Sequence, residues 1–252
     1  MVCMSHYFAA AEESGLISSS TVVSIISALG DPGVGIFFFL SGYALYKGYG
    51  SAKIDRKFLI NRFKNTYFPY VVIQLVILLL SGGIDGPMRI GRLLLGLDSW
   101  FIVTILIFYL VFYLVGKLPK YRLIIMCIFV TGMSLFLFRM HYPEFWYDAD
   151  WCFPIGMVLA KYENKIGFVS RGFSLDIKDY LMKFLGKNSL YIFLLHLFIY
   201  HTFINWGPVL ESGMNWYIKM LLAFIIAVVM AFVLERFFNA IYKLTRIDKL
   251  KG

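Results

Sequence analysis

The sequence predicts an all-α fold: a polytopic transmembrane helical bundle of about seven full spans behind a clipped first helix, forming one domain over residues 1–252. Three observations carry this expectation. Sixty per cent of the residues are hydrophobic and only 15% are charged, with mean hydropathy +0.74, whereas soluble domains carry about 25% charged residues. The apolar residues come in blocks of bilayer length, roughly 17–25 residues each. The basic residues also sort to one side: of the 24 Lys and Arg, all but Arg89, Arg92, Arg139 and Lys219 fall in alternate loops. The positive-inside rule makes that side cytoplasmic, together with the C-terminus, in a multi-pass protein of the cytoplasmic membrane.

The first residues, MVCMSHYFAA (Met1 to Ala10), are apolar, but ten residues of helix span only about 15 Å, half a hydrocarbon core. They lack the basic start and full apolar run of a signal peptide and read as the outward end of a clipped helix. Residues 11–30 are expected as an outer loop with room for a short interfacial helix. The spans are then expected at 32–49, 66–82, 99–116, 122–138, 146–161, 189–206 and 215–235. The first two are joined by a basic elbow holding Lys47, Lys53, Arg56, Lys57, Arg62 and Lys64. The fifth contains Asp148 and Asp150 in its first half. Before the sixth, DIKDYLMKFL (Asp176 to Leu185) has helical apolar spacing and charges opposite, as an interfacial helix would. The outer loops are acidic: Glu12, Glu13, Asp31, Asp85, Asp98, Glu144, Asp148, Asp150 and Glu211.

The net charge of +9 reads as membrane topology and lipid contact rather than nucleic-acid binding, since no basic run alternates with exposed aromatics. Cys3, Cys127 and Cys152 are scattered, which excludes a disulfide framework or a thiolate metal site. His196 and His201 are five apart and project from different helix faces, so no metal is indicated. Phosphate-cradling glycine motifs are missing, and no bound cofactor is expected.

Five segments, taken in order, resemble one known family. They are MVCMSHYF (Met1 to Phe8), VGIFFFLSGYALYKGY (Val34 to Tyr49), FLINRFKNTYFPY (Phe58 to Tyr70), LGKNSLYIFLLH (Leu185 to His196) and LERFF (Leu234 to Phe238). The order and content are similar to the acyltransferase-3 family of integral-membrane O-acyltransferases. The chain departs from that pattern where Asn65 stands for the second elbow arginine and Phe68-Pro69 for a proline pair. It is also short for a family that usually has ten helices.

The resemblance implies transfer of an acyl group, with acetyl expected, from cytoplasmic acyl-CoA to a hydroxyl of a cell-surface or lipid-linked glycan. His6 matches the family's first-helix histidine and is the expected catalytic base; an ionisable group inside lipid is in any case a functional candidate. Arg62 and Lys64 are the expected contacts to the phosphates of the donor, acetyl-CoA or another acyl-CoA, although basic residues at an inner face also serve as plain anchors. Ser41 with Gly42 reads either as a close-packing point between helices or as lining a cavity. Ser189, His196 and Glu235 line a cavity if the late motif works as in the family. His196 could meet His6 there, or hydrogen-bond a neighbouring helix. Glu144, Trp146, Asp148 and Trp151 combine carboxylates with flat aromatics, as a sugar acceptor site does, and equally as an interfacial aromatic belt does. The rival readings are a glycan transporter or flippase, which would put polar groups along several spans, and a non-catalytic remnant of an acyltransferase.

Overall fold

The computed structural model describes residues 1–50, 52–83, 86–166, 176–210 and 212–245, with the side chains of 164–166, 176–185 and 210 outside the description. Asp85, Glu211 and the basic tail from Arg246 are likewise outside the described residues. Every regular element among the described residues is helical. The chain divides into two compact units.

The first unit comprises the described residues of Met1–Gly30, Phe68–Ile84 and Ser174–Gly252. It holds α1 (Val2–Glu13) and α2 (Thr21–Ala28), together with four helices from the later two segments. The Ser20 hydroxyl accepts from the Val23 amide at 3.3 Å and so caps α2. The expected outer loop over 11–30 is therefore largely helical. Its valines and isoleucines extend the following apolar segment, so that Thr21–Tyr49 forms one stretch long enough to cross a bilayer.

The second unit comprises Asp31–Tyr67 and the described residues of Asp85–Phe173. Its helices are α3 (Gly30–Tyr49), α4 (Arg56–Arg62) and, after α5 (Phe68–Leu80) of the first unit, α6 (Pro87–Leu94), α7 (Trp100–Leu114), α8 (Arg122–Arg139) and α9 (Cys152–Ile166). Its core is aromatic. Phe108 lies 4.9 Å from Phe153 and 5.5 Å from Phe38 between ring centroids. Helices α3 and α9 cross through two glycines: a Cβ at Gly42 would run into the Phe153 carbonyl, and one at Gly156 into the Phe39 carbonyl. Backbones approach this closely only where neither residue has a side chain. The packing reading of Ser41-Gly42 is thereby the observed one at Gly42, with Ser41 half-buried beside it.

Completing the first unit, α10 (Asp176–Ile204) packs along α12 (Trp216–Leu244), with α11 (Gly207–Leu210) between them in sequence. Ala223, Ala227 and Ala231 recur every four residues on α12 and are wholly buried. This small-residue stripe lets the helices approach.

Among the described residues, five stretches are long and apolar enough to cross a membrane: Thr21–Tyr49, Arg56–Leu80, Trp100–Lys117, Arg122–Arg139 and Trp216–Leu244. Three expectations shift. The basic elbow is mostly helix, because Arg56 to Arg62 form α4 and a π-helical turn (Phe63–Tyr67) carries the chain into α5. The fifth expected span, 146–161, begins instead with a 3-10 turn (Glu144–Trp146) and becomes helix only at Cys152. The delay keeps Asp148 and Asp150 out of a spanning helix. Asp176 to Leu185 is the first part of α10 rather than a separate helix.

Candidate functional site

The two histidines drawn from opposite ends of the sequence meet. His6 on α1 and His196 on α10 approach with Nδ1 of His6 2.8 Å from Nε2 of His196. The ring centroids are 5.1 Å apart and the planes differ by 13°. A face-to-face stack cannot bring two nitrogens this close in near-parallel planes, so the rings meet edge to edge, in line for a hydrogen bond. His196 is 1% exposed, while His6 is half-buried.

A lattice of aromatic residues holds the pair. The Tyr7 hydroxyl donates to the His196 carbonyl at 3.1 Å, and the Tyr7 ring stacks on Tyr200 at 4.4 Å. Tyr200 donates back to the Tyr7 carbonyl at 3.4 Å and accepts from Trp216 Nε1 at 3.1 Å. Phe8 meets Trp216 edge-on at 4.9 Å. Three helices, α1, α10 and α12, thus fix one imidazole contact. Tyr7 and Tyr200 were not singled out from the sequence.

The other late-motif residues stand elsewhere on α10 and α12. Ser189 donates to the Gly186 carbonyl at 2.8 Å, within its own helix. It lies two turns, about 10 Å of rise, before His196. Glu235 forms an ion pair with Lys187 at 2.7 Å and accepts from Asn239. Arg236, next to Glu235 in the chain, sits over the Phe232 ring, 4.4 Å from its centroid.

In the second unit, the Arg62 guanidinium lies between two rings, 5.3 Å from Phe58 and 5.0 Å from Tyr109. It borders a cavity of about 330 Å³ with Tyr67 and Leu106. The Arg62 Nε is buried with no hydrogen-bond partner among the described residues. Lys64 lies two residues on, inside the π-helical turn, a geometry that recurs at functional sites. Among the acidic and aromatic candidates, Asp148 lines a cavity of about 490 Å³ with Asp31, Phe39 and Cys152. Glu144 and Trp151 are exposed. Trp146 packs on Tyr142 and Trp100, at 5.5 and 6.4 Å.

Two buried polar groups escaped sequence reasoning, and Asp150, placed by the sequence among the outer acids, is buried as well. Arg122, counted only as a topology charge, is wholly buried and donates to the carbonyls of Tyr49, Gly50, Ala52 and Gly116. Glu163 accepts from the Tyr43 hydroxyl at 2.6 Å and pairs with Lys47. Asp150 is fully buried, and neither of its oxygens has a hydrogen-bond partner among the described residues. Burial, with the Asp148 charge adding to it, pushes its carboxyl up to about 8.

Five apolar stretches of bilayer length, with an imidazole pair held by α1, α10 and α12, define the class as a helical membrane protein. The family model of the acyltransferase-3 family, an acyltransferase domain, matches residues 1–175, and the chain belongs to that family. The matched segment holds His6, Ser41, Arg62, Lys64, Glu144, Trp146, Asp148 and Trp151, and it ends before Ser189, His196 and Glu235. No curated protein and no solved structure matches the chain.

Proposed function

We propose that this protein is a membrane O-acyltransferase that moves an acyl group, acetyl in the first instance, from acyl-CoA to a hydroxyl of a cell-surface or lipid-linked glycan. The observation that carries the reading is the contact between His6 and His196, an imidazole pair sheltered by α1, α10 and α12 inside an acyltransferase-family chain. His6 takes the proton of the acceptor hydroxyl as its oxygen attacks the thioester carbonyl. The new C–O bond forms, the C–S bond breaks, and the CoA thiolate leaves with the proton returned by His6. A sugar hydroxyl is too weakly acidic to attack a thioester unaided, and a positioned base supplies about 10²–10⁴-fold.

The donor is polyanionic, and Arg62, poised between Phe58 and Tyr109 with an unsatisfied Nε, supports a phosphate contact, with Lys64 beside it as a second cation. Asp148 and Asp31 around one cavity support hydroxyl recognition on the acceptor, with Glu144, Trp146 and Trp151 on the same outer segment. In this reading the chain crosses the cytoplasmic membrane seven times, α10 and α9 adding to the five stretches above, with the C-terminus inside.

The test is acyl transfer from radiolabelled acetyl-CoA by the purified protein in lipid vesicles. His6→Ala abolishes turnover with insertion intact. Arg62→Ala raises the KM for acetyl-CoA more than it lowers kcat, since a phosphate contact serves ground and transition states nearly alike. Wild-type turnover by His6→Ala would remove the catalytic assignment.

A further inference from the structure

We propose that His196 is a positioning residue that sets the tautomer of His6, placing the proton on Nδ1 and the basic lone pair on Nε2. The proposal rests on the reading of His6 as the base and assigns the atom that acts.

The inference follows from a carbonyl. Nδ1 of His196 lies 2.6 Å from the Phe193 carbonyl oxygen, one turn back on α10. A carbonyl oxygen has no hydrogen to give, so Nδ1 of His196 must carry one. A neutral imidazole has a single N–H, which leaves a lone pair on Nε2 of His196. That lone pair faces Nδ1 of His6 at 2.8 Å. Two lone pairs at this distance repel, so Nδ1 of His6 carries the hydrogen and donates it. Neutral His6 then holds its lone pair on Nε2.

The result is a directed chain from His6 Nδ1–H to His196 Nε2, and from His196 Nδ1–H to the Phe193 carbonyl. It does for His6 what a buried carboxylate does for the histidine of a serine protease, holding tautomer and orientation. When His6 accepts a proton at Nε2, the Nδ1–H bond to His196 persists and becomes charge-assisted. The backbone carbonyl of His196 is held by the Tyr7 hydroxyl at 3.1 Å, so the acceptor ring and the donor helix are pinned together.

Two measurements on the solubilised protein test this. The chain has four histidines, few enough for ¹⁵N spectra of labelled protein to resolve each ring by substitution. Neutral His6 should show a protonated Nδ1 and an unprotonated Nε2. His196→Phe should shift it to the Nε2–H or a mixed form, and His196→Gln, whose amide oxygen accepts a hydrogen bond, should retain Nδ1–H. In acetyl-CoA turnover, His196→Phe should lower kcat about 10²-fold or more at unchanged KM, and His196→Gln should recover most of the loss. A wild-type His6 protonated at Nε2, or an unchanged tautomer in His196→Phe, overturns the proposal, as does wild-type kcat in His196→Phe while His6→Ala is inactive. Activity retained by His6→Ala would instead remove the base reading and leave the tautomer result standing.

Discussion

Replacing Arg122 by methionine tests how the buried cation holds the second unit together. Its guanidinium contacts four carbonyls at 2.5–3.2 Å and lies 5.0 Å from the Phe112 ring centroid. Methionine fills similar volume and supplies no donor. The bond to Gly116 is fully buried, and its carbonyl left dry costs about 1–3 kcal/mol. The three carbonyls of the 49–52 turn are partly buried and can take water instead, each losing a net of roughly 0.5–1.5 kcal/mol. The total loss is about 2.5–7.5 kcal/mol. At roughly 2–4 °C per kcal/mol for a chain of this size, the melting midpoint should fall by roughly 5–30 °C. The assay is thermal unfolding in detergent, followed by tryptophan emission and by aggregation. Arg122→Lys keeps a charge with three donors and should lose about half as much. Lys120→Met, two residues away and exposed, should change stability by less than about 0.5 kcal/mol. If Arg122→Met melts within about 2 °C of the wild type, the claim that this side chain ties α8 to the 49–52 turn is wrong.

Two further outcomes follow from the packing and the buried acid. Gly42→Ala and Gly156→Ala each push α3 and α9 apart at the same crossing, so each should sharply reduce the yield of folded protein in detergent. The double variant should be less damaging than the sum of the two; fully additive losses would show that the glycines do not share one contact. For Asp150, the folded-state pKa near 8 stands above the ordinary carboxylate value of 3.8. Between these values the folded state holds a proton that the unfolded state has released, so stability is full below about pH 4 and falls as pH rises toward 8. Melting curves from pH 5 to pH 9 should therefore decline in the wild type and decline less in Asp150→Asn, whereas identical pH slopes would dismiss the buried neutral carboxyl.

Helix type and the membrane setting were legible in the sequence because they depend on local sums. Leucine, isoleucine and phenylalanine in blocks of bilayer length satisfy the backbone only as helices, wherever their neighbours lie. The ordered motifs from His6 to Phe238 were enough to point to the family, since each is a contiguous string. Segment ends were less legible: the short helix for which the 11–30 loop had room starts only after Ser20, and Asp148 and Asp150 delay one inside an expected span. In both places a single capping or charged residue outweighs the average of its window.

What only the tertiary structure decided is which polar groups face one another. His6 and His196 are 190 residues apart in the chain, and no spacing rule could say that Nδ1 of one meets Nε2 of the other. Arg122 and Lys120 look alike as basic residues at a helix start, yet one is wholly buried against four carbonyls and the other is exposed. Glu163 reads as one more charge at a helix end until Tyr43 and Lys47 close on it. Hydropathy records how much a residue costs to bury, whereas the partners that offset that cost come from distant segments and exist only once the helices have packed.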